Sequence, residues 1–139
     1  MALTTKTLAE LARLNSGIGP VFSAQNPTTA TDIASPVATA NFGSVVATDL
    51  VDGDGVDVSN ATYCVIRVIP TGGDVVFDVV SRSTSVTDEF EALNNLIGIT
   101  ASGPWKEYVF CGPEDEVVVI PISGSATSVE IEIGPCLGG

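Results

Sequence analysis

The side chains best placed to do chemistry are a run of carboxylates, Asp49-Leu-Val-Asp52-Gly-Asp54-Gly-Val-Asp57. Closely spaced carboxylates in a turn can chelate calcium through hard oxygen ligands, so Asp52, Asp54 and Asp57 are the metal candidates. Their spacing departs from the EF-hand loop. Counted from Asp52, glycine falls at the second and fourth places, Asp57 takes the usual glycine place, and Tyr63 stands where the bidentate glutamate belongs. Asp-Gly pairs also build hairpin turns, which makes a plain solvated turn the competing reading. A second group, Glu107, Glu114, Asp115 and Glu116, could supply the paired carboxylates of a glycosidase. Three of these fall in one turn, where charge serves solubility, and the turn is expected to project into water. Trp105, Tyr108 and Tyr63 could form a sugar-stacking platform or pack in a core.

Histidine is absent, which removes the commonest general base and metal ligand. The three cysteines, Cys64, Cys111 and Cys136, form no C-x-x-C pair, so no zinc site is expected. Their odd number argues against a disulfide framework; Cys64 and Cys111 read as small strand hydrophobes. Gly53-Asp54-Gly55 lacks the lysine of a phosphate loop. The expectation is a protein that is not an enzyme and carries no cofactor.

The 139 residues suit one domain with a sizeable core. Hydrophobic residues make up 45% of the chain, with nineteen valines and ten isoleucines, while charged residues make up only 16%. β-Branched residues suit pleated, half-buried surfaces. So little polar surface implies burial against other subunits, and a homo-oligomer is expected. The net charge of −12 is uneven: residues 1–31 sum to +1 and the remainder to −13. An acidic body repels phosphate backbones, so no nucleic-acid partner is expected. The opening Met1–Lys6 shows no apolar h-region, and no run approaches the ~18 residues of a membrane span. The reading is a soluble chain made in a reducing cytoplasm, without a membrane partner.

Residues 4–15 predict a short helix with Leu8, Leu11 and Leu14 near one face. Such a helix is marginal alone and must dock, either on its own domain or on a neighbour. Residues 16–41 read as an extended arm, punctuated by Gly and Pro and beaded with Ile18, Val21, Phe22, Ile33 and Val37. Together these apolar residues are the candidate interaction set, within an arm spanning 1–41 that precedes a β-domain at 42–139. In the body, strands are expected at 44–51, 62–69, 75–81, 96–100, 105–111, 117–122 and 128–133. Pro70–Gly73 and Gly112–Asp115 are expected to turn two hairpins, the second at the centre of the molecule. Both faces of the 62–69 and 75–81 strands look covered. Residues 85–95 carry a short interior helix signal, with Phe90, Leu93 and Leu96 as its buried stripe. The tail 134–139 should end the chain at the surface. The fold class is all-β: an antiparallel β-sandwich or small jelly roll of six to eight strands.

This layout is similar to that of tailed-bacteriophage head proteins, and resembles most the capsid decoration, or cement, class. The opening MALTTKTLAELARLN, the Thr/Ala-rich arm through Asn41 and the β-body after Phe42 carry the resemblance. It implies a virion protein, favoured as a homotrimer, on the capsid surface at junctions of the major capsid protein, with no catalytic residues. Another phage part (tail, head-completion or fibre-base protein) would share the same features. A calcium- or carbohydrate-binding β-sandwich module is the alternative of a different class.

Overall fold

The computed structural model describes residues 23–24, 37–85 and 87–137. Ten strands form two antiparallel five-stranded sheets. In chain order they are β1 (Ser23–Ala24), β2 (Val37–Ala38), β3 (Val56–Asp57), β4 (Ala61–Thr71), β5 (Val75–Ser83), β6 (Thr87–Ala92), β7 (Ile99–Ala101), β8 (Trp105–Phe110), β9 (Glu116–Ser123) and β10 (Ser128–Leu137). Sheet A runs β1-β10-β4-β8, with β2 also on β10; sheet B runs β3-β9-β5-β6, with β7 also on β5. The all-β expectation holds, with more strands than the sequence suggested because β1, β2 and β3 are two-residue bridges.

Alternation explains which faces meet. In sheet A, Cys64, Ile66 and Val68 of β4 and Val129, Ile131 and Ile133 of β10 point inward. They face Val75, Phe77 and Val79 of β5 and Val117 and Val119 of β9. These form one continuous core, bridged by Phe77 and Trp105, whose rings meet edge to face at 5.0 Å.

Neither expected hairpin forms. β4 and β5 belong to different sheets, as do β8 and β9, so both connections are arches that carry the chain across the core. The hydrogen-bonded neighbours are instead β4 with β8 and β5 with β9. The β4–β5 corner is held by the β9–β10 corner beside it. Asp74 accepts bonds from the Ser125 amide (3.2 Å) and hydroxyl (2.6 Å), the Asp74 carbonyl accepts the Ala126 amide, and the Thr71 carbonyl accepts the Thr127 amide. The approach requires glycine. A Cβ on Gly124, whose φ is +138°, would lie 2.2 Å from the Asp74 carbonyl oxygen.

Three other expectations change. Residues 44–51 are not a strand but a coil with a 3-10 turn at Ala47–Asp49. Val45 and Leu50 are buried, and the Gly43 amide bonds the Pro121 carbonyl, so this segment straps the outer face of sheet B over Val80, Val118 and Ile120. The segment expected to be helical contains β6: the open edge of β5 offers backbone partners (Val80 to Ala92, Ser81 to Glu91), and sheet pairing overrides weak helix propensity. Phe90 and Leu93 are buried as expected. The supposed tail from Gly134 continues β10 through Leu137. Pro135 is tolerated because it faces Cys64 at a non-hydrogen-bonded position, with its nitrogen turned away from β4.

The end of the expected arm packs on the sandwich. Val37 and Ala38 pair with Val129 and Ser128, and Val37 is a core residue. Thr39 adds a backbone bond to the Thr127 carbonyl (2.9 Å). The expected helix at 4–15 lies outside the described residues.

The Gly124→Ala substitution is expected to cost about 2 kcal/mol or more, from a left-handed backbone and a backbone clash together. Urea unfolding should show the loss, whereas Gly103→Ala, where a Cβ meets nothing within 4 Å, should leave the midpoint nearly unchanged.

Candidate functional site

The acidic loop and the acidic turn, separate in sequence, meet in space. Glu116 opens β9 opposite Arg82 near the end of β5. Its carboxylate is buried under the Gly53–Gly55 loop, contrary to the expectation that the 114–116 turn projects into water. Oε2 accepts from Arg82 Nε (2.9 Å) and Nη2, while Oε1 accepts the amides of Gly53 (3.0 Å) and Gly55 (2.9 Å). Arg82, itself buried, also donates to Asp52 (2.7 Å) and lies over the Phe90 ring at 5.9 Å. Asp115 accepts the Thr84 amide (2.8 Å) and hydroxyl (2.7 Å), and its own amide bonds the Arg82 carbonyl (2.7 Å).

This arrangement divides the proposed calcium ligands among different partners. Asp52 pairs with Arg82, Asp54 accepts the Val51 amide (2.7 Å), and Asp57 accepts the Ser59 amide (2.9 Å) and hydroxyl (2.6 Å). Among the described residues no group of three or more His, Cys, Asp or Glu side chains could hold a metal ion. The loop is a hydrogen-bonded latch closed on Glu116. Burial pushes the Glu116 carboxyl up, but bonds from Arg82, Gly55 and Gly53 and the Arg82 charge outweigh it and hold the carboxyl below its ordinary value.

The three cysteines are buried and none forms a disulfide. Hydrogen bonding to Cys111, followed by burial, pushes the Cys64 thiol upward. They lie at one end of sheet A, with Cys136 opposite Tyr63 and the Cys111 amide bonded to the Thr62 carbonyl (2.7 Å).

The two sheets differ most in their outer faces. The outer face of sheet B is strapped by residues 42–50. That of sheet A carries Tyr63, Val65, Arg67 and Ile69 from β4, opposite Phe110, Tyr108 and Lys106 from β8. Tyr63, Tyr108 and Phe110 are 50%, 58% and 47% exposed, too much for core residues. Tyr63 meets Phe110 edge to face at 5.5 Å, and Gly112 makes room for the Phe110 ring, which a Cβ there would approach to 2.6 Å. Beside them is a hollow of about 590 Å³ lined by Val65, Arg67, Ile69, Pro104, Trp105, Lys106 and Tyr108. Arg67 is anchored to Glu132 at 3.4 Å. Of the suggested sugar platform, Tyr63 and Tyr108 stand outside, while Trp105 is half-buried against Phe77.

Sequence reasoning missed this face because it took Trp105–Cys111 to pair with 117–122. The signal that could have found it is period-2 alternation, which puts Lys106, Tyr108 and Phe110 of the 105–111 strand on one face. Of the candidate interaction set, Leu8, Leu11, Leu14, Ile18, Val21, Phe22 and Ile33 lie outside the described residues, and Val37 is in the core. No described helix is long and apolar enough to cross a membrane. No protein-family model, curated protein or solved structure matches the chain.

Glu116→Gln should destabilise the fold by about 3 kcal/mol, the cost of leaving a buried cation short of its partner. The native carboxylate, held low in the folded state, contributes stability that is complete above its unfolded value, about 4.3, and is lost as pH falls through the lower folded value. Chemical unfolding at neutral pH and in mild acid should therefore show the wild-type advantage over Glu116→Gln shrinking in acid.

Proposed function

We propose that the chain is a non-enzymatic structural virion protein that decorates and stabilises a phage capsid by binding the major capsid protein. The observation supporting a protein-binding role is the outer face of sheet A, where Tyr63, Tyr108 and Phe110 stand exposed while the opposite sheet is covered by its own chain. Aromatic side chains around a fixed cation are the composition of an interface anchor. The acidic body favours a protein partner over nucleic acid. The layout of an apolar N-terminal arm before a β-body supports the cement class and a homo-oligomer. In this reading the protein is made in the host cytoplasm and ends on the capsid surface. The hollow beside Trp105 and Tyr108 supports a second reading, a carbohydrate-binding module.

Co-sedimentation with expanded capsids of the encoding phage tests the proposal. Tyr63→Glu, at an exposed position, should weaken binding at least ~10-fold, as loss of an interface anchor does, without lowering the unfolding midpoint. Deletion of residues 1–36, which spares the core residue Val37, should also weaken it. Capsid binding by neither wild type nor variant, together with glycan binding that Tyr108→Ala abolishes, would replace the proposal with the second reading.

A further inference from the structure

We infer that two copies of this chain join through β8, edge to edge and antiparallel across a two-fold axis centred on Tyr108, merging their A sheets. This inference does not depend on the capsid reading.

Among the described residues β8 pairs with β4 alone. The direction of its backbone groups follows from the pairing. The Cys111 amide bonds the Thr62 carbonyl, so Cys111, Val109, Glu107 and Trp105 turn their backbone groups toward β4. Lys106, Tyr108 and Phe110 turn theirs outward, and Asn94 Nδ2 reaches the Phe110 carbonyl from that side at 3.0 Å. That carbonyl retains a second lone pair. An edge of outward amides and carbonyls is a template for another strand unless something guards it.

Among the described residues, β10, β9 and β6 are each covered or charged at their outer edges. In sheet A, β10 carries β1 and β2; in sheet B, β9 carries β3. The β6 edge presents exposed Glu89 and Glu91 and is interrupted by a register shift between Ser81 and Ser83. β8 keeps register with β4 along its whole length; it exposes two aromatics and one cation on one face, and Glu107 on the other.

The side chains select the partner and the register. Outward groups must face outward groups, which leaves two registers near the middle of the strand. Centring on Glu107 sets Glu107 against its own copy, and directly opposed like charges are destabilising. Centring on Tyr108 sets Tyr108 against Tyr108, Lys106 against Phe110 and Glu107 against Val109. Each outward pair then exchanges both backbone bonds, the tyrosine rings meet, and each lysine lies over a phenylalanine ring. The strand is thus complementary to itself, which a two-fold interface requires. The pairing closes with two copies, unlike the trimer that the resemblance implies. A strand edge buries less than the about 800 Å² per partner of a standard interface, so association is expected to be reversible and concentration-dependent.

Cysteine cross-linking tests both contact and register, because the three native thiols are buried. At submillimolar concentration, in salt that screens the repulsion between chains of net charge −12, Tyr108→Cys under a mild oxidant should give a covalent dimer at least ~10-fold faster than Glu107→Cys. Tyr108→Pro removes an amide that β4 does not use, so it should fold cooperatively and sediment as a monomer where the wild type sediments as a dimer. Equal cross-linking at the two positions, or none at either, would overturn the inference. So would a folded Tyr108→Pro protein that still dimerises; if that variant does not fold, the cross-linking rates decide. Capsid binding by a protein that fails these tests would leave the functional proposal standing.

Discussion

The Glu116 carboxylate draws four donors from two distant stretches of chain, the loop at Gly53–Gly55 and the guanidinium of Arg82. Removing a carboxylate and a guanidinium from water is costly unless their bonding capacity is met, and here the partners are mutual. The arrangement fixes where β9 begins, where β5 ends and how residues 52–57 lie against both. The latch ties one end of sheet B to the loop before β3, and the Asp74–Ser125 corners tie the two connections between the sheets to each other at the other end.

A consequence is a division of labour between the sheets. The segment after Val37 crosses the outside of sheet B and buries Val45 and Leu50 there, while Val46 and Val51 of the same segment remain exposed. Sheet A holds both the exposed aromatics and the open β8 edge. Its two cations on this face, Arg67 and Lys106, sit opposite each other in a body that is otherwise strongly acidic. Exposed aromatics and a strand that, among the described residues, has a single neighbour coincide on one surface, which is the physical ground for placing contacts there.

Much of the β-body was legible in the residues themselves. Strict alternation in Ser128–Ile133 identified the inward Val129, Ile131 and Ile133, and the Val/Ile-rich runs located β4, β5, β8 and β9 within a residue or two. The failures share a cause. Pro70–Gly73 and Gly112–Asp115 carry turn residues whether the chain folds back within a sheet or arches between two, because turn chemistry specifies a change of direction and not a hydrogen-bonding partner. Residues 85–95 carried capping signals worth a few tenths of a kcal/mol to about 1 kcal/mol, too weak against the unpaired edge of β5. Of the carboxylates at 52–57, Asp52 meets the guanidinium of Arg82, thirty residues further along the chain, while Asp54 and Asp57 accept nearby backbone amides.

The sequence alone determined that the protein would be a β-structure with an acidic surface, and that Val129, Ile131 and Ile133 would be buried, because alternation and β-branching act within a few residues. Tertiary structure alone decided which strands became neighbours, that Glu116 would be buried under the Gly53–Gly55 loop, and that Asp52, Asp54 and Asp57 would bond Arg82 and nearby backbone amides. It also decided that Tyr63, Tyr108 and Phe110 would share a surface. Those outcomes depend on groups dozens of residues apart, and only the closed core brings them within bonding distance.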